Sequence, residues 1–186
     1  MRVAKALEQI ISGMTLTYNE YKSDNTIKGE VTKDVQFSFG DQKELNKWIA
    51  GRGSLSKYPL VWYVIVPYDE PRSKDYIEVN SRIYFFTSTK QELYNATRSL
   101  INYDQILEPL WQKVKLALKN ANNIDVINDI IKVKAEPNFG VDTERQGVSG
   151  DFSSTTSKGT KSIATDFLDA QYVDLKLRIR ENNCNN

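Results

Sequence analysis

Tyr172-Val173-Asp174-Leu175-Lys176-Leu177-Arg178-Ile179-Arg180 alternates without a break. Val173, Leu175, Leu177 and Ile179 fall on one side of an extended chain, and Tyr172, Asp174, Lys176, Arg178 and Arg180 on the other. Successive strand side chains point to opposite faces, so the pattern predicts a strand with one face on a core and the other outward.

Upstream of this strand, residues 137–165 change character. Gly140, Gly147, Gly150 and Gly159 punctuate a Ser/Thr-rich stretch that includes Ser153-Ser154-Thr155-Thr156-Ser157, which reads as one long loop. Downstream, residues 181–186 read as a frayed tail. Before the loop, residues 124–134 predict a strand bent at Asn128-Asp129, after a turn at Ala121-Asn122-Asn123. The longest helix is expected to start at Thr89, with Glu92 at the matching capping position. Leu93, Thr97, Leu100 and Ile101, then Ile106, Leu107, Leu110, Trp111, Val114 and Leu118, supply its buried stripe. Pro109 lies within it and either kinks it or divides it in two.

The run Leu60-Val61-Trp62-Tyr63-Val64-Ile65-Val66 is apolar on both faces and flanked by Pro59 and Pro67, so it predicts a buried strand. Strand character resumes over residues 76–86, and the two form a hairpin at the centre of a sheet. Val3, Leu7, Ile10, Ile11 and Met14 mark an N-terminal helix that Gly13 can stop. Residues 15–21 and 35–39 alternate as strands, with Lys28-Gly29 read as punctuation between them. Asp41 and Glu44 form a capping-box pattern for a short helix with Leu45, Trp48 and Ile49 on one face and Gly51 as its stop. Helices interrupt the strands too rarely for a doubly wound parallel sheet. The expected fold is a single α+β domain over residues 1–186, with a mostly antiparallel sheet. The N-terminal helix and the long Pro109-kinked helix pack on one face of it.

Among 186 residues, 25 basic and 24 acidic side chains nearly cancel, and 40% are hydrophobic. No global charge draws the chain to nucleic acid or to a membrane. Histidine is absent, which removes the commonest general base and metal ligand. Cys184 is the single cysteine, so no internal disulfide can form, and a cytosolic setting without a signal peptide is the natural expectation.

The chain contains neither GxxxxGK[ST] nor GxGxxG. Gly51-Arg52-Gly53-Ser54 is the nearest glycine pair and reads as a helix-stop turn. Ser56-Lys57 and Ser157-Lys158 are adjacent pairs in loops, solvated rather than poised as catalytic dyads. Carboxylates gather as Asp69, Glu70, Asp75 and Glu78 around the hairpin turn, and as Asp125 and Asp129, without the spacing of a metal trio. Lys176, Arg178 and Arg180 form the one basic stripe. It could contact DNA phosphates, face solvent, or pair with a neighbour's carboxylates. No catalytic residue, metal ligand or cofactor is expected.

The chain as a whole resembles the tail-terminator and tail-completion proteins of tailed bacteriophages. The likeness lies in the helix over residues 3–14, the proline-led strand Tyr58-Pro59-Leu60-Val61-Trp62-Tyr63, and the passage from residues 83–86 into the helix at 93–100. Asn102-Tyr103-Asp104-Gln105-Ile106-Leu107-Glu108-Pro109-Leu110 and the closing strand add to it. The helix over residues 41–50 looks like an insertion. The resemblance implies a virion protein made in the host cytoplasm. It would form a homo-oligomeric ring between portal and tail, contacting neck, portal-adaptor and tail proteins, with DNA passing through the lumen. Phe139, Val141, Val148, Phe152 and Ile163 are then candidate anchors of an interface arm in the long loop. The alternatives are a DNA-processing enzyme with a carboxylate metal site and an adaptor that binds protein through a sheet edge.

Overall fold

Leu168–Arg180 is one strand of 13 residues, paired along its whole length with an equally long antiparallel strand, Tyr76–Ser88. The computed structural model describes residues 2–22, 24–51, 57–65, 76–89, 95–127, 131–139, 153–156, 159–162 and 168–180. In chain order its elements are α1 (Arg2–Ile11), β1 (Thr15–Tyr21), β2 (Ile27–Asp34), β3 (Gln36–Gly40) and α2 (Gln42–Gly51). There follow β4 (Leu60–Val64), β5 (Tyr76–Ser88), α3 (Asn95–Arg98), a π-helix (Ser99–Leu107) and α4 (Glu108–Asn120). The last are β6 (Ile124–Val126), β7 (Val133–Phe139), β8 (Ser153–Thr156), β9 (Gly159–Ser162) and β10 (Leu168–Arg180). The expected α+β class with a mostly antiparallel sheet is what the chain forms.

The main sheet runs β3-β4-β5-β10, with β6 and β7 pairing opposite ends of the far side of β10. Only β3 and β4 are parallel; the hairpin β4–β5 is antiparallel as expected. Alternation assigns the two faces. Val61, Tyr63, Ile83, Phe85, Val173, Leu175 and Leu177 pack against α1 and α4 in the larger core. Leu60, Trp62, Phe86, Leu168 and Ala170 point the other way and are covered by Leu45 and Ile49 of α2 and by Phe139 of β7. Among the described residues, the second face is covered at one end only.

The capping box of α2 forms as its residues predict: Asp41 N donates to Glu44 Oε2 at 2.8 Å and Glu44 N to Asp41 Oδ1 at 2.9 Å. Gly13 ends α1 at φ 77°, the left-handed cap that a side chain disfavours.

Five expectations are corrected. Lys28-Gly29 does not break the chain; it lies inside β2, whose alternating charged residues pair with β1 in a separate two-stranded sheet. Residues 124–134 are not one continuous strand: β6 ends at Val126 and β7 begins at Val133, both on the same side of β10, and the bend expected at Asn128-Asp129 lies outside the described residues. Residues 137–165 are not wholly loop: β7 continues through Pro137 to Phe139, and β8 and β9 form a hairpin. Strand β4 ends at Val64, and Ile65 is exposed. Lys57 is not solvated but 2% exposed, its ammonium bound to the Ile49 carbonyl near the negative end of the α2 dipole. At Pro109 the backbone stays helical. Leu107 and Glu108 keep α-helical dihedrals, and Glu108 N bonds to Tyr103 O, five residues back. The wider π turn ahead of Pro109 relieves the clash that its ring would meet in a regular α-helix.

Candidate assembly surface

The outer face of β10 carries the predicted basic stripe, and the sheet register places carboxylates against it. Glu78 of β5 stands opposite Arg178. Arg178 Nη2 and Nε lie 2.7 and 3.0 Å from Glu78 Oε1, and Lys176 Nζ lies 3.0 Å from Oε2. Hydrogen bonds from Arg178 and Lys176 to the charged form hold the Glu78 carboxyl below the usual carboxylate range. Arg180 Nη2 reaches Asp125 Oδ2 of β6 at 3.1 Å. Arg82 Nε and Nη2 donate to Asp174 Oδ1 and Oδ2 at 2.7 and 3.0 Å. The same guanidinium lies 4.3 Å from the centre of the Tyr172 ring, and Arg178 lies 4.7 Å from that of Tyr76. All three candidate basic residues thus pair with carboxylates of their own chain, Lys176 and Arg178 sharing Glu78, so most of the stripe's charge is offset.

Phe139, the first candidate arm anchor, is turned inward. It packs edge-on to Phe86 at 4.8 Å and against Tyr84 at 5.5 Å, in the smaller core. Pairing of Phe139 with Leu168 at the end of β7 brings it there, a long-range contact that local spacing does not encode. Val141, Val148, Phe152 and Ile163 lie outside the described residues, as do Asp69, Glu70, Asp75 and Asp129. Glu78 and Asp125, the remaining carboxylates of interest, are engaged with arginines as above. Among the described residues no three of His, Cys, Asp or Glu group to hold a metal, and no helix is long and apolar enough to cross a membrane.

Two features escaped the sequence. A buried polar cluster ties the π-helix to β10: Asp169, fully buried, accepts from Asn102 Nδ2 at 2.6 Å and from Asn138 N at 3.0 Å. Arg98 Nε is 3.2 Å from Asp169 Oδ2 but lacks hydrogen-bond alignment, so that nitrogen contributes attraction alone. Burial pushes the nearby Tyr103 hydroxyl up, and its oxygen donates to Ala170 O at 3.2 Å. A polar residue at the head of the apolar strand, Asp169, was the available signal. The second feature is a groove of about 300 Å³ between β1 and the π-helix, bordered by Tyr18, Tyr21, Asn102 and Ile106. Glu20 on its wall is bridged by Lys28 at 3.2 Å and Lys33 at 3.0 Å, and Gln105 donates to the Tyr21 hydroxyl. The Lys bridges hold β1 to β2, and the Gln105–Tyr21 bond fastens the hairpin to the π-helix.

Beyond the main sheet stand two hairpins, β1–β2 and β8–β9; among the described residues, the strands of each pair in a sheet only with each other. No protein-family model matches this chain, and no curated protein matches it.

Proposed function

We propose that this chain is a structural subunit of a tailed-bacteriophage neck, forming a homo-oligomeric ring that joins portal to tail and lets DNA pass. The observation that supports the reading best is the pair of two-stranded hairpins outside the main sheet. A two-stranded hairpin is marginal in water unless something packs on it or adds a strand. Hairpin β1–β2 has the long helix; among the described residues β8–β9 pairs only within itself, and a neighbouring subunit would supply the strand it lacks. The face of β10, with most of its positive charge offset by Glu78 and Asp125, agrees with a surface shared by many copies, since it sets up little repulsion among them. A lumen need only pass DNA, which requires no phosphate-binding stripe. The whole-chain resemblance to tail-completion proteins points the same way.

Light scattering on the purified protein, alone and mixed with neck proteins encoded beside it, tests the reading together with mass spectrometry of purified virions. A closed multiple of the 21.3 kDa chain and its presence in virions is the expected result. A monomer under every mixture, absent from virions, overturns it. An adaptor that takes one partner strand on a sheet edge would instead give a one-to-one complex.

A further inference from the structure

Open sheet margins invite further strands, and proteins commonly blunt them with charge, proline or bulges. Most margins of the described strands are blunted in that way. Strand β2 carries Lys28 and Glu30, and β1 has a bulge beside Glu20. Strand β6 carries Asp125, β7 carries Lys134 and Pro137, and β9 carries Lys161. Among the described marginal strands, two have neither charge nor proline: β3, Gln-Phe-Ser-Phe-Gly, and β8, Ser-Ser-Thr-Thr.

The open side of β3 is defined by its bonds to β4. Gln36 N donates to Pro59 O at 2.9 Å, and Gly40 O accepts from Ile65 N at 3.0 Å. Backbone groups alternate sides along a strand, so those of Gln36, Ser38 and Gly40 face β4 and those of Phe37 and Phe39 face outward. The Phe37 and Phe39 rings, 6.4 Å apart, pack against the larger core.

We infer that the β8 edge of one copy adds to the β3 edge of a second copy, so that the two unguarded margins satisfy each other. The inference rests on the ring reading above. The four residues of β8 suit the five of β3 in length, and neither brings a charge that the contact would have to desolvate. Among the described residues β3 pairs only with β4, and β8 only with β9, which leaves both margins for a neighbour to pair with. The contact joins different patches on the two partners. It is therefore heterologous, and it propagates head to tail until rotation closes a ring. Hairpin β8–β9 gains the third strand that a stable sheet needs.

The test uses full-length chains carrying Cys184→Ser, one population with Gln36→Cys and another with Thr155→Cys, treated with a short bis-maleimide. Cross-linked dimer is expected in the mixture and not in either population alone. Dimer from Gln36→Cys alone would mean that β3 meets β3, which overturns the inference. No cross-link while light scattering still shows a ring also overturns it and leaves the ring reading standing. Monomer throughout removes both. As a second measure, Thr155→Pro in the parent chain is expected to abolish the ring while leaving the circular dichroism of the subunit unchanged. An intact ring in that variant counts against the β8 edge.

Discussion

Asn102 Nδ2 donates a 2.6 Å hydrogen bond to Asp169 Oδ2, joining the π-helix to the head of β10 across 67 residues of chain. Both side chains are buried, and Asp169 also accepts from Asn138 of β7 while Arg98 stands beside it. Three elements thus converge on one carboxylate. A buried charge is tolerated only while its partners are in place.

Removing either end should therefore be costly. Asp169→Ala leaves Arg98 buried without its counter-charge and is expected to lose roughly 3–5 kcal/mol. Asn102→Ala, which takes away one donor, should lose about 1–3 kcal/mol. Urea denaturation measures both. Values within about 0.5 kcal/mol of the parent, ordinary for surface changes, would show that the cluster is dispensable.

Trp62 and Gly40 form a second test, in the smaller core. Trp62 is 1% exposed, lies 6.4 Å from Trp48, and donates from Nε1 to Gly40 O at 3.3 Å. Trp62→Ala should cost about 3–5 kcal/mol. Gly40 has φ 151°, and a Cβ there would meet Glu44 Oε2 at 2.3 Å, the oxygen that caps α2. Gly40→Ala should therefore destabilise the chain while Ser38→Ala in the same strand does not, as read from denaturant midpoints. Equal midpoints for the two would show that the capping contact is unimportant.

Glu136 predicts a pH dependence. Burial pushes its carboxyl above the usual range, against the opposing pull of Arg82 and Lys134. A folded-state pKa above the unfolded one means that the protonated form favours folding. That contribution is full below the unfolded value and is lost as pH rises through the folded value. At pH ~7 the ionised carboxylate is thus a net burden, so Glu136→Gln should raise the urea midpoint there. The gain should shrink toward zero at pH ~4 and below. A midpoint that falls at neutral pH would mean that the Arg82 and Lys134 attractions outweigh burial.

The face of Lys176, Arg178 and Arg180 predicts weak DNA binding. Each cation lies within 3.1 Å of a carboxylate of its own chain, leaving little charge to release counterions from a duplex. Fluorescence anisotropy at physiological salt is expected to give a Kd no tighter than about 10⁻⁴ M, the weak end of non-specific binding. Tighter binding that Arg178→Ala abolishes would show that the stripe can exchange its internal partners for phosphate.

Alternation over residues 172–180, the helical stripe on α1 and the Asp41–Glu44 box were legible because each is set within a few residues of chain. A strand's two faces, a helix's apolar side and a reciprocal cap need no distant partner to be specified. Strand β2 was not legible, since Lys28 and Glu30 lie exposed on one face and Gly29 interrupts the pattern. What makes it a strand is its pairing with β1. Phe139 shows the limit most clearly. Its spacing among glycines suits an arm, yet pairing of β7 with β10 turns its ring into the chain's own core. The charge of Lys176, Arg178 and Arg180 was written in the sequence, but its neutralisation depends on Glu78 and Asp125. These lie 100 and 55 residues from Arg178 and Arg180 and arrive only through sheet register. Local patterns thus determined the elements and their inward faces. Tertiary structure alone decided which charges cancel and which edges stay open, because both depend on contacts between residues far apart in the chain.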